Sequence, residues 1–87
     1  MDIKQTIDKS IIEFNKSQNK FQIQNDYNFE LIGQNSPLDS IAIVNFFLLL
    51  EKKLLKDLNI KIDLMNKVFI AKREKLYIKD LISILEN

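Results

Sequence analysis

The chain has 87 residues, enough for one small domain over residues 1–87 with a single modest core. Hydrophobic residues make up 46% and charged residues 29%, as in folded domains, and one glycine and one proline argue against an all-β fold. The net charge of +1 provides no electrostatic basis for binding nucleic acid, so we expect no such partner.

The first predicted helix covers residues 2 to about 18. Its apolar residues recur at the spacing of one helical face: Ile3, Ile7, Ile11 and Phe14. Ile12 would widen this apolar stripe. The helix should end near Ser17-Gln18-Asn19, a polar and turn-prone stretch.

Residues 19 to about 36 show a weak strand signal, since Phe21 and Ile23 alternate with glutamines. No other segment is a convincing strand partner, and an isolated strand would leave its backbone groups unpaired. We therefore predict a long loop fixed by apolar anchors: Phe21, Ile23, Tyr27, Phe29, Leu31 and Ile32. The sequence Gly33-Gln34-Asn35 indicates a turn just before the next helix.

The central helix is predicted from about Ser40 to about Lys56, with two possible starts. Ser36 and Asp39 have the spacing of a capping box, with Pro37 at the first helical position. Alternatively, Asp39 is the N-cap and Ser40 opens the helix. In both cases Ser40 lies in the first turn, where free backbone N–H groups favour an anion. Its hydroxyl is then either a simple capping group or a carrier of phosphate.

This helix is apolar nearly all round as far as Glu51, so it is either deeply buried or keeps an exposed strip for a partner. One face at helical spacing comprises Ile43, Phe47, Leu50 and Leu54. Core packing is expected for most other apolar residues, including Leu48. Ile41 and Val44 are set apart because they lie beside Ser40.

The remaining chain reads as short helical elements. Residues 59–63 form a linker with two buried isoleucines, and Asp63 opens a third, short helix from Leu64 to Phe69 or Ile70. The run Lys72-Arg73-Glu74-Lys75 is a solvated connection. The last helix covers Ile78 to Glu86, and its apolar face comprises Ile78, Leu81, Ile82 and Leu85.

The sequence contains neither cysteine nor histidine. This excludes disulfides, thiolate metal sites and the commonest general base, so we expect no metal site and no catalytic activity. No segment has the pattern of a signal peptide, and the run from Ile41 to Leu50 is far shorter than the roughly 20 residues that span a bilayer. We therefore expect a cytoplasmic protein with no membrane insertion.

The stretch from Gly33 to Leu54 resembles the signature of acyl carrier proteins. The matching residues are a glycine-containing loop followed by Leu38-Asp39-Ser40, Ile41, Val44 and Leu50-Glu51. The segment from Tyr77 to Ile82 is similar to the Thr-Val-x-Asp-Leu-Val start of that family's last helix. Ile60-Lys61-Ile62 falls where the family has a hydrophobic linker. The resemblance covers essentially the whole chain.

The resemblance implies an all-α fold, a small four-helix bundle with three longer helices, one short helix and a long first loop. Ser40 would be the attachment point of 4′-phosphopantetheine, transferred from coenzyme A by a phosphopantetheinyl transferase with magnesium. Asp39 would orient Ser40, cap the helix and face the transferase. The thiol of the arm would carry an acyl or aminoacyl group as a thioester, so the protein itself would catalyse nothing.

The family also implies the partners. These are the transferase, an acyl-loading ligase or acyltransferase, and downstream synthases of fatty acid or secondary metabolite biosynthesis. Ile41, Val44 and Asn45 beside Ser40 would contact them, and the chain would be a monomer.

The chain departs from typical fatty-acid carriers, whose central helix is strongly acidic. The corresponding positions here are Ala42, Asn45, Lys52 and Lys53. Only Asp39 and Glu51 remain from the acidic pattern, so attraction toward a basic partner should be weak. We therefore expect a specialised, stand-alone carrier.

Two other functions compete with this one. The first is an unmodified helical interaction module with the carrier fold, which would use an apolar strip of Ile41, Val44 and Phe47. The second is an enzyme based on carboxylates, but Asp39, Glu51 and Asp80 lie on separate elements and suggest no catalytic pair.

Overall fold

The computed structural model describes residues 2–17, 21–69 and 74–86. Within these ranges the chain forms four helices and one small sheet. In chain order the elements are α1 (Ile3–Ser17), β1 (Glu30–Ile32), α2 (Ser40–Leu58), α3 (Leu64–Phe69), β2 (Leu76–Tyr77) and α4 (Ile78–Glu86). The predicted small helical bundle with one short helix is confirmed. Some predictions fall outside the described residues: the end of the first helix at Gln18 and Asn19, an end of the third helix at Ile70, and Lys72 and Arg73 of the charged connection.

The helix α1 begins with a reciprocal cap. The Gln5 backbone N–H donates to Asp2 Oδ1 at 2.8 Å, and the Asp2 N–H donates to Gln5 Oε1 at 3.1 Å. Two hydroxyls on the inner face of α1 are buried and bonded within the helix. Thr6 Oγ1 donates to the Asp2 carbonyl at 3.1 Å, and Ser10 Oγ donates to the Thr6 carbonyl at 2.8 Å. Burying these small polar groups therefore leaves neither hydroxyl unpaired.

The core lies between α1 and α2. The rings of Phe14 and Phe46 meet edge to face, with centroids 5.6 Å apart, and Phe46 and Phe47 are adjacent at 6.2 Å. The predicted inner faces are confirmed for Ile7, Ile11, Phe14, Phe47, Leu50 and Leu54, all of which are buried. The helix α4 adds Ile78 and Leu81 to the same core.

The polar residue Asn15 ties the long first loop to α1. Its side-chain amide donates to the Ile23 carbonyl, and its Oδ1 accepts the Ile23 backbone N–H, both at 2.8 Å. Ile23 is thereby held in the core without strand pairing. The prediction that Tyr27 anchors the loop is wrong, because its ring is exposed. Lys4 Nζ lies 4.9 Å from the centroid of that ring.

The predicted absence of strands is also wrong. β1 and β2 pair antiparallel, with Glu30 opposite Tyr77 and Ile32 opposite Leu76. The ladder continues into the start of α4, where the Ile78 N–H donates to the Phe29 carbonyl at 3.1 Å. The strands are only three and two residues long. Such short strands are not stable alone, and each pairs with a segment that is far away in the sequence.

Two residues expected in the core are exposed instead. Ile12 on α1 and Leu48 on α2 are both more than half exposed, on the outer sides of their helices. No helix among the described residues combines the length and the apolar content needed to cross a bilayer.

We expect Phe47→Ala to destabilise the fold by about 3–5 kcal/mol, because it removes a fully buried ring from the core. The measurement is the free energy of unfolding from urea denaturation. Leu48→Ala is the matched control on the exposed side of the same helix and should change stability by less than about 1 kcal/mol. Equal losses for the two variants would contradict this assignment of the faces.

Candidate functional site

The loop that precedes α2 is fastened to β1 by two side chains. The buried Glu30 carboxylate accepts the Asn35 backbone N–H at 2.6 Å. Ser36 Oγ donates to the Leu31 carbonyl at 2.7 Å and accepts the Leu38 N–H at 3.2 Å. Ser36 is therefore a loop residue and not the N-cap of α2, and Pro37 lies before the helix. The capping-box alternative is wrong.

Gly33 permits this loop to pass close to Glu30. Its φ is +142°, a conformation that side chains rarely adopt. A Cβ at this position would lie 2.5 Å from the carboxyl group of Glu30. The glycine therefore makes room for the carboxylate that holds the Asn35 amide.

Asp39 is the N-cap of α2, as the second alternative predicted. It has extended backbone dihedrals, with φ −85° and ψ 176°, and its Oδ1 accepts the Ala42 N–H at 2.8 Å. Leu38, just before the cap, is buried, and Ile43 packs partly against the same core. These two positions are those of a hydrophobic staple, which sets the direction in which the chain enters the helix.

Ser40 is the first residue of α2 and is exposed to solvent. The Asp39 side chain occupies the Ala42 N–H, and the Asp39 carbonyl accepts the Ile43 N–H at 3.0 Å. In the described part of the chain, the Ser40 hydroxyl and the backbone N–H groups of Ser40 and Ile41 have no hydrogen-bond partner. An accessible hydroxyl therefore lies beside two free donors at the positive end of a 19-residue helix.

The residues predicted to contact partners differ in exposure. Ile41 is 72% exposed, Asn45 is exposed, and Val44 is half-buried. Ile41, next to Ser40, and Asn45, more than one turn further along α2, are therefore accessible. Phe47 is fully buried, so the predicted strip of Ile41, Val44 and Phe47 does not exist as one exposed surface. Ala42 is buried as well and presents nothing to a partner.

The carboxylates considered for catalysis each accept a backbone N–H near a helix start. Asp39 accepts at the start of α2, Glu51 Oε2 accepts the Leu64 N–H of α3 at 2.6 Å, and Asp80 Oδ2 accepts the Tyr77 N–H at 3.0 Å. The structure therefore separates them and engages each in local structure. Asp63 also caps α3 as predicted, because its Oδ1 accepts the Asn66 N–H at 3.1 Å.

Sequence analysis predicted neither that Glu30 holds the loop before Ser40 nor that Glu51 caps α3. Glu30 reads as an exposed polar residue before two apolar ones, and nothing local signals that its carboxylate folds back onto Asn35. Glu51 lies 13 positions before its partner, Leu64. The only sequence signal for this role of Glu51 was its position next to Leu50, on a helix that must contact the following segment.

Comparisons with protein-family models, curated proteins and solved structures give no match for this chain.

We expect Gly33→Ala to destabilise the protein by about 1–3 kcal/mol, because alanine strains the positive φ and displaces the Glu30 carboxylate. Urea denaturation measures the loss. Gln34→Ala, at the exposed neighbouring position, is the control and should be close to neutral. Similar stabilities of the two variants would show that the loop has another conformation.

We expect Asp39→Ala to cost about 1 kcal/mol of stability, because the Ala42 N–H loses its acceptor. Asp39→Asn should retain most of this stability, since an asparagine side chain also caps helices well. The same denaturation experiment compares the two variants. If asparagine proved as damaging as alanine, the carboxylate would have a role other than capping.

Proposed function

We propose that this chain is a carrier protein that holds an acyl or aminoacyl group on a 4′-phosphopantetheine arm attached to Ser40. The observation that supports the proposal is the exposed, unbonded Ser40 hydroxyl at the start of α2, directly after the Asp39 cap. The resemblance of residues 33–54 to acyl carrier proteins supports it independently.

The residues present fit a phosphodiester at this position. Ser40 supplies a hydroxyl that no other group of the described chain occupies, and the free N–H groups of Ser40 and Ile41 favour a negative charge there. No acidic residue follows in the first turn of α2. Asp39 is the one nearby carboxylate in sequence, and its Oδ1 is turned toward the Ala42 amide.

In the proposed reaction the Ser40 oxygen forms a bond to the phosphorus of coenzyme A that bears the pantetheine, and 3′,5′-ADP leaves. The hydroxyl proton passes to a base of the separate phosphopantetheinyl transferase, which also supplies the magnesium. When attached, the arm provides the thiol that this cysteine-free chain lacks. The role of the chain is then to present the arm from a fixed helix end to loading and downstream enzymes, as a non-catalytic monomer of the cytoplasm.

A second candidate is an unmodified interaction module. The exposed apolar side chains of Ile41 and Leu48 on the outer side of α2 favour it. Such a module would use the same helix without any group on Ser40.

Intact-mass measurement separates these functions. The parent chain, incubated with coenzyme A, magnesium and a broad-specificity transferase, should gain the mass of one phosphopantetheine. Ser40→Ala should gain nothing yet remain folded, because its hydroxyl has no partner in the described structure. Ser83→Ala, at an exposed serine of α4, is the control and should be modified like the parent. A gain on Ser40→Ala would refute the site, and a folded parent that gains nothing would favour the interaction module.

A further inference from the structure

The outer side of α2 carries three large apolar side chains in one row. Ile41, Leu48 and Leu55 are 72%, 52% and 49% exposed and follow one another at intervals of seven residues. Two heptads extend about 21 Å along a helix, and a seven-residue interval drifts by only ~20° around it. These residues, here called the α2 stripe, therefore form a nearly straight apolar line on the opposite side from the core.

A groove runs beside the C-terminal part of the α2 stripe, from Leu48 to Leu55. Leu48 and Leu55 line it together with Lys61 and Ile62 from the segment between α2 and α3, and it encloses about 620 Å³. The surface of the groove is mostly aliphatic. Because Leu48 and Leu55 belong to both, the groove and the stripe form one continuous surface. A partner that covers the stripe can therefore also fill this concave part.

The charged residues that line the groove are two lysines and one glutamate, so lysines outnumber carboxylates there. Lys52 and Lys61 line the groove, and Lys56 is exposed one turn further along α2. Glu51 also lines the groove, and its Oε2 accepts the first amide of α3. Asp63, next to Ile62, accepts hydrogen bonds from the Asn66 backbone amide and side chain. Both carboxylates keep their charge, but these hydrogen bonds hold them in local structure. In the described residues, the lysines at this rim have no carboxylate paired with them.

One further carboxylate near α2 is paired with a lysine. Glu13 of α1 forms a salt bridge with Lys53 of α2, with Oε2 and Nζ 2.5 Å apart. The hydrogen bond from Lys53 lowers the pKa of Glu13, so its carboxylate stays charged and paired at neutral pH. Asp57 lies about 200° around α2 from Leu55 and is therefore on the far side of the helix from the stripe. Among the described residues, Lys52, Lys56 and Lys61 thus border the α2 stripe without a salt bridge. Glu51 is the one carboxylate in the groove lining.

We propose that the α2 stripe and its groove bind an amphipathic helix of a partner protein, with an apolar heptad face edged by glutamate or aspartate. A seven-residue apolar row matches the repeat of a helix that crosses at about 20°. Carboxylates on both edges of that helix would lie near Lys52 and Lys61 and would specify the partner by charge. The proposal goes beyond the carrier function, because docking requires no group on Ser40.

The test uses two fluorescent synthetic helices of about 21 residues with leucine at the a and d positions. One carries glutamate at the flanking e and g positions, and the other carries lysine. Fluorescence anisotropy with the unmodified chain and with Ser40→Ala should show binding of the glutamate helix, at least about tenfold tighter than the lysine helix, weakening with added salt. Because Ser40→Ala cannot be modified, failure of docking is distinguished from failure of the carrier function.

Two pairs of variants locate the binding surface. Leu48→Asn with Leu55→Asn should abolish binding of the glutamate helix, while Ile12→Asn, at an exposed apolar position of α1, should leave it unchanged. Lys52→Glu with Lys61→Glu should reverse the preference toward the lysine helix. Lys67→Glu with Lys75→Glu makes the same charge change at exposed lysines outside the groove and should preserve the preference.

Three results would overturn the proposal. The first is equal binding of both helices, and the second is full binding by the Leu48→Asn, Leu55→Asn variant. The third is a different occupant of the α2 stripe. That occupant would be a second copy if the parent sediments as a dimer and this variant as a monomer, or a lipid surface if only the parent floats with phosphatidylserine vesicles.

Discussion

The packing of α2 against α1 is the contact on which the rest of the structure depends. Phe46 meets the edge of Phe14, and Phe47 and Leu50 complete a fully buried inner face. Because this face fixes the rotation of α2 about its axis, it also decides which residues point outward. The exposure of Ser40, Ile41 and Leu48 is a consequence of the burial of the phenylalanines.

Polar groups then join the start and the middle of α2 to neighbouring segments. At the start, Asp39 caps the helix, and Glu30 and Ser36 hold the preceding loop against β1. Further along, Glu51 holds the first amide of α3. The outer side of α2 exposes Ile41, Leu48 and Leu55 together with Lys52 and Lys56. The proposed docking surface therefore begins at Ile41, next to the proposed attachment point, and extends along the helix to Leu55.

Helices and their inner faces follow from the sequence because their signal is local. The spacing of Ile7, Ile11 and Phe14 defines α1 without knowledge of its partner. The strands were missed because β1 and β2 are too short to carry a pattern and their nearest ends, Ile32 and Leu76, are 44 positions apart in the sequence. A helix that is apolar nearly all round has no periodicity to orient it, and for this reason Leu48 was assigned to the core.

The site was predictable to a similar extent. The choice of Asp39 as one possible cap and Ser40 as the first helical residue required only the local preferences of helix starts. The supports from Glu30 and Glu51 were not predictable, since each depends on a backbone amide brought near by folding. Composition excluded a thiol, and the fold adds an accessible hydroxyl at a helix start, where an attached thiol-bearing arm could begin.

The most direct test of the carrier function is the state of Ser40 in protein isolated from its native cell. Digestion followed by tandem mass spectrometry would locate any modification on the peptide that contains residues 39–45. The proposed function predicts a phosphopantetheine, free or acylated, on Ser40 in a substantial fraction of molecules. A complete and unmodified peptide from cells in which another carrier protein is modified would contradict it.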